Sequence, residues 1–93
     1  MAKRIPPPEW APYARRLGLE LHRRRIEAGL SQEQLAAAAG ITRATYAQLE
    51  KGLSRPEVSA NPSLLTLVAL SNVLHVDVTA LIPTKAPDVS AWK

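Results

Sequence analysis

Cysteine is absent from this 93-residue chain, so neither a disulfide framework nor a thiolate metal site is available to it. Histidine is scarce. His22 and His75 stand apart, with no second donor cluster near either in sequence, and His22 reads as a surface residue. No metal and no cofactor is therefore expected. The carboxylates are dispersed and there is no glycine-rich phosphate loop, which argues against an enzyme. No apolar run reaches membrane-spanning length. The basic N-terminus runs into Pro6-Pro7-Pro8 and not into an apolar stretch. No secretory signal is expected, and the chain reads as a cytoplasmic one.

Ninety-three residues suit one small domain. The net charge is +4, and ten of the twelve lysines and arginines lie at or before Arg55. Beyond Arg55 there are two basic and three acidic residues. A basic N-terminal half fits contact with phosphate, although charge alone fits a solvated helix face as well.

The chain is organised around Leu30 to Gly52, L-S-Q-E-Q-L-A-A-A-A-G-I-T-R-A-T-Y-A-Q-L-E-K-G. It holds two helix starts. Ser31 is a good N-cap, with Gln34 placed to close a capping box and Leu30 to staple onto Leu35. Thr42 is a second N-cap, with Ile41 and Tyr46 at the same staple spacing. Gly40 lies between them, suited to the positive φ of a helix end. Leu35, Ala36 and Ala39 face one way on the first helix, and Tyr46 and Leu49 on the second. Thr42, Arg43, Ala44, Ala47 and Gln48 are left outward. A helix so arranged can enter a DNA major groove with its N-terminal residues towards the bases.

This run resembles the helix-turn-helix of the XRE and Cro family, whose domain is lambda-repressor-like. The pattern L-S-Q-E-Q-L-A, then G-I-T, then Y and L-E-K-G carries the resemblance, which extends from about Leu17 to Ile82. It implies an all-α, compact five-helix DNA-binding domain. The expected organisation is a flexible proline-rich arm over 1–11, the DNA-binding domain over 12–83 and a tail over 84–93.

The first helix is expected to start near Pro12, a residue tolerated at the first helical position. Tyr13, Leu17 and Leu21 recur every four residues and define a core stripe. Arg25 is the next step on that stripe, and a buried guanidinium needs a partner. Glu50 is the natural candidate, and the resemblance implies a structural ion pair between these two. Gly29 ends the helix.

On the recognition helix, about 42–51, geometry and resemblance agree on Arg43, Ala44 and Gln48 as base contacts. Arginine pairs bidentately with guanine, glutamine with adenine, and an alanine methyl meets thymine. Backbone contacts are expected from Gln32, Thr42, Thr45, Lys51, Ser54 and Arg55. Lys3 and Arg4 of the arm can brush phosphates too. The stretch 53–60 is longer than the usual family loop, which leaves its contacts open.

Asn61 is expected to cap the fourth helix, with Pro62 at its first position and Leu64, Leu67, Val68, Ser71 and Leu74 facing the core. His75 stands where the family commonly has glycine. Asp77 caps a short last helix that ends before Pro83. The resemblance gives that helix a part in dimer contact, with Val78 and Leu81 as interface residues.

The expected function is a sequence-specific regulator, a repressor, that binds a dyad-symmetric operator on double-stranded DNA as a homodimer. Two recognition helices would then sit about 34–36 Å apart. The alternative is an antitoxin-like module that holds a protein partner through its tail, which carries Val89 and Trp92, and binds its own promoter. No small-ligand pocket and no membrane contact is expected, and the chain is placed with the nucleoid.

Overall fold

Three of the four α-helices begin at a side chain that caps them. In the computed structural model, which describes residues 6–90, these helices are α1 (Trp10–Ala28), α2 (Gln32–Ala39), α3 (Arg43–Glu50) and α4 (Leu64–Leu74). Ser31 accepts from Gln34 N, and the Gln34 side chain accepts from Ser31 N, so the capping box is complete. Thr42 accepts from Thr45 N. Gly29 and Gly40 close α1 and α2 in the left-handed conformation. Only α1 starts without a side-chain cap. It takes in Trp10 and Ala11, two residues counted as arm above, and Pro12 falls third in the helix. The first N–H groups of a helix have no intrahelical partner, so proline costs nothing there.

The expected fifth helix is a single 3-10 turn, Val78–Ala80, so the described residues hold four α-helices where five were expected. Asp77 caps the turn through Thr79 N, as its position suggested. Pro83 follows too closely for an α-helix to propagate, because proline pushes the residue before it towards extended backbone.

A second departure lies between α3 and α4. The stretch expected as a long loop is a small antiparallel hairpin, β1 (Leu53–Arg55) with β2 (Val58–Ser59), irregular in register. Gly52 opens it at φ 77°, and the Gly52 carbonyl accepts from Ala60 N at 2.8 Å to close it. Glu57 at the tip takes a positive φ of 64°.

The start of α4 also shifts. Ser63, and not Asn61, is the cap, accepting from Thr66 N. The helix stripe turns accordingly. Leu70 and Leu74 are buried with Ser71, whereas Leu64, expected in the core, is 68% exposed. Leu65 beside it is 81% exposed. His75 ends α4 in the left-handed conformation with φ 57°.

The core joins Ala14, Leu17 and Leu21 of α1 to Leu35 and Ala36 of α2, Tyr46 and Leu49 of α3, and Leu70 and Leu74 of α4. Ala60 and Leu81 complete it. Two aromatic side chains tie down the ends of this body. Trp10 Nε1 donates to the Ala60 carbonyl at 2.8 Å, and the Tyr13 hydroxyl donates to the Pro83 carbonyl at 2.8 Å. Among the described residues no helix is long and apolar enough to cross a membrane. Lys3, Arg4 and Trp92 lie outside the described residues.

Candidate nucleic-acid interface

Glu50, the last residue of α3, fixes how the recognition helix is held. Its carboxylate points inward and is 7% exposed. Arg25 Nε of α1 donates to Glu50 Oε2 at 2.6 Å, and Arg25 Nη2 to Oε1 at 3.2 Å. The Tyr46 hydroxyl donates to Oε2 at 2.6 Å, and Gln32 Nε2 of α2 to Oε1 at 3.0 Å. His22 Nδ1 lies 3.0 Å from the same Oε1. One carboxylate thus links three helices. Arg25 Nη1 also donates to the Leu30 carbonyl at 2.9 Å, which ties the turn before α2 into the same network.

The electrostatics follow from these donors. Burial raises the Glu50 carboxyl, but hydrogen bonds from Arg25, Tyr46, His22 and Gln32 outweigh it and hold the group down at about 2. Burial pushes the Tyr46 phenol up, and its bond to Glu50 adds to that. The hydrogen bond with Glu50 raises the Arg25 guanidinium, against the opposing effect of burial. Arg25 and Glu50 thus form a closely hydrogen-bonded charge pair.

Two of these partners were not foreseen. His22 was read as surface and is exposed, but its contact with Glu50 was not expected. It sits three residues before Arg25, hence on the same helix face, which was the available signal. Gln32 was expected on a phosphate, but one amide hydrogen is spent on Glu50 and one remains. Gly18 was missed as well. A Cβ there would lie 2.5 Å from the Glu50 carbonyl oxygen, so α1 and α3 meet closely at this point. A glycine inside a helical pattern was the clue.

The opposite end of α3 faces solvent. Thr42, Arg43, Ala44 and Thr45 are exposed, and Ala47 and Gln48 half-buried. No carboxylate among the described residues pairs with Arg43. The Thr42 hydroxyl donates to Thr45 Oγ1 at 2.8 Å while it caps the helix, so its proton is committed. The Thr45 hydroxyl keeps its own proton for an outside acceptor. Lys51, Ser54 and Arg55 are exposed along the end of α3 and the first strand, with Ser54 Oγ 3.4 Å from the Val58 carbonyl it donates to.

The two residues expected at a dimer contact part company. Val78 is half-buried, but Leu81 is fully buried in the core of its own chain. Core packing takes Leu81 because the 3-10 turn folds it under α4, and its side chain is not on the surface.

A family model described as Helix-turn-helix matches residues 21–81. Among solved structures the chain is similar to the restriction-modification controller protein C.AhdI from Aeromonas hydrophila, with 31% identity and a TM-score of 0.64. That match covers 73% of this chain and 94% of the other. It is also similar to SinR, the master regulator for biofilm formation, solved in complex with DNA, with 30% identity and a TM-score of 0.63 over 72% of this chain and 98% of that one. The DNA-binding domain of SinR comes from Bacillus subtilis. A third structure, the complex of SinR with SinI, matches at 29% identity and a TM-score of 0.63, covering 73% of this chain and 61% of that one. No curated protein sequence matches significantly. The chain belongs to the XRE-type helix-turn-helix family of DNA-binding transcription regulators.

Proposed function

We propose that this chain is a sequence-specific repressor that binds a dyad-symmetric operator as a homodimer, with α3 in the major groove. The observation that carries this reading is the exposed first turn of α3, with Arg43 in no ion pair among the described residues, on a helix whose far end Glu50 locks to α1 and α2. A reading head must present its side chains in one orientation, and the buried carboxylate supplies the rigidity. Arg43, Ala44 and Gln48 read bases. Gln32, Thr45, Lys51, Ser54 and Arg55 hold phosphates, and Thr42 serves chiefly as the cap.

The free N–H groups at the start of α2 support the phosphate role of Gln32. Val78 and the exposed Leu64 and Leu65 of α4 supply apolar surface for the second copy. The chain acts in the cytoplasm, on the nucleoid.

The test is selection of duplexes from a random pool, with the winners bound at two salt concentrations. A dyad-symmetric site preferred over random DNA by on the order of 10³ supports the reading. A steep salt slope with no enriched sequence leaves only electrostatic binding and overturns it.

A second reading draws on the SinR–SinI complex, in which a similar protein is held by a protein partner. Here the tail would hold the partner, and the chain would also bind its own promoter. Co-purification of a second protein that is lost on deletion of residues 84–93, with DNA binding intact, favours it.

A further inference from the structure

The side of α1 turned away from the recognition helix carries a groove that DNA reading does not use. Gly18 marks the side of α1 that touches α3. Residues 16, 20 and 23 lie roughly 140–200° round the helix from it. With the segment 79–84 they enclose an open groove of about 560 Å³. Leu19, Ile82 and Pro83 supply its apolar floor, and Leu19 is 60% and Ile82 41% exposed. Arg16, Arg23 and Arg24 form its rim.

The charges on the rim do not balance. Glu20 is shared between Arg23 and Arg24, and Glu27 takes a second bond from Arg23. Arg16 has no carboxylate among the described residues and lies over the Tyr13 ring, 5.8 Å from its centroid. Three guanidinium groups therefore face two carboxylates around an apolar floor. Phosphate has no use for such a floor. A second copy is a poor occupant too, because the acids of this chain outside α1 stand singly, at Glu9, Glu33, Glu50, Glu57, Asp77 and Asp88.

We infer that this groove docks an acidic amphipathic segment of another protein, its apolar side on Leu19 and Ile82 and its carboxylates on Arg16 and Arg24. The site lies behind the reading head, so it can be filled while the chain is on DNA.

The experiment is selection from a displayed peptide library on the full chain, followed by titration of the synthesised winner. Backbone amide NMR shifts locate where that peptide binds. The expected winners combine Asp or Glu with apolar residues, and move amides in 16–24 and 79–84. Leu19→Glu and Arg16→Glu, both on exposed positions, each weaken the peptide by about tenfold or more and leave DNA affinity unchanged. Circular dichroism of each variant verifies its fold. Winners without acidic residues, shifts confined to α3 or α4, or affinity indifferent to both substitutions overturn the inference. Loss of DNA affinity in these variants also overturns it, since the groove would then belong to the DNA face.

Discussion

Gly18 lies flat against the end of the recognition helix, where a Cβ on it would sit 2.5 Å from the Glu50 carbonyl oxygen and 2.6 Å from that of Leu49. The obstacle is backbone, which cannot rotate aside. The same residue whose side chain anchors α3 therefore also presents its peptide to α1. Replacing Gly18 by alanine sets two effects against each other. Alanine favours a helix interior by about 1 kcal/mol over glycine. Forcing apart two packed helices costs about 1–3 kcal/mol. The expected result is a net loss of up to about 2 kcal/mol in urea unfolding. A more stable Gly18→Ala variant would show that the helices have room to spare.

The carboxylate of Glu50 answers to four side chains, so its loss strands more than one of them. Glu50→Ala leaves Arg25, itself only 11% exposed, without its counter-charge. Breaking one partner of a buried pair costs about 3–5 kcal/mol. Thermal unfolding should fall accordingly, and DNA affinity at a temperature where the variant stays folded should fall with it, because α3 loses its anchor. Unchanged stability would sink the structural role of the pair.

Acid should undo the same anchor. The Glu50 carboxyl has a folded pKa of about 2, against an ordinary value of 4.5. A depressed carboxyl contributes stability that is fully present above the unfolded value and is lost as pH falls through the folded one. Stability of the natural chain should therefore decline between about pH 4.5 and 2. In Glu50→Gln the decline over this window should be shallower, from a lower starting point. Denaturant midpoints collected at half-unit pH steps for both chains measure it. Parallel curves would mean that other groups set the acid limb.

The devices that were legible in the sequence are local ones. Ser31 with Gln34, Thr42 before its helix, Gly29 and Gly40 after theirs, and Asp77 before its turn each work within a few residues. The pairing of Arg25 with Glu50 was legible because a charged residue fell on an apolar stripe. Gln32, which reaches Glu50 from another helix, left no periodic mark, and His22 showed only its spacing of three from Arg25. The hairpin was hidden because its strands are only three and two residues long, too short to show alternation. The core face of α4 was misjudged for a different reason. Leu64, Leu65, Leu67, Val68, Leu70, Val73 and Leu74 surround the helix, so spacing alone could not choose between Leu64 and Leu70. Packing against α2 and the 3-10 turn made the choice.

His75 ends α4 in a conformation that costs an L-residue energy. Its φ is 57°, and its N–H and that of Val76 satisfy the Asn72 and Ser71 carbonyls. The ring is exposed, so little packing is lost on removing it. Glycine removes the left-handed penalty of about 1–2 kcal/mol but makes the unfolded chain freer by about 0.4–1 kcal/mol. His75→Gly should stabilise the protein by about 0.5–1 kcal/mol in urea unfolding, with DNA affinity unchanged. A destabilised variant would mean that the imidazole makes a contact worth more than the strain.

Arg43 and Lys51 are both exposed cations on the α3 side of the body, yet the proposed interface gives them different work. Arg43 sits on the first turn, where a fork of donors can reach a base edge. Lys51 follows the last turn, where only the phosphate backbone is within range of a groove-bound helix. Arg43→Ala should cost about 1–3 kcal/mol on the selected site and relax the preference at one base pair. Lys51→Ala should weaken every sequence alike and lower the salt slope by about 1. Titrating both variants against the selected duplex, single-base variants of it and random DNA at several salt concentrations separates the two. A uniform loss for Arg43→Ala would move it to the phosphate contacts and leave Gln48 as the principal reader. Base-dependent loss for Lys51→Ala would place the end of α3 deeper in the groove than the proposed docking allows.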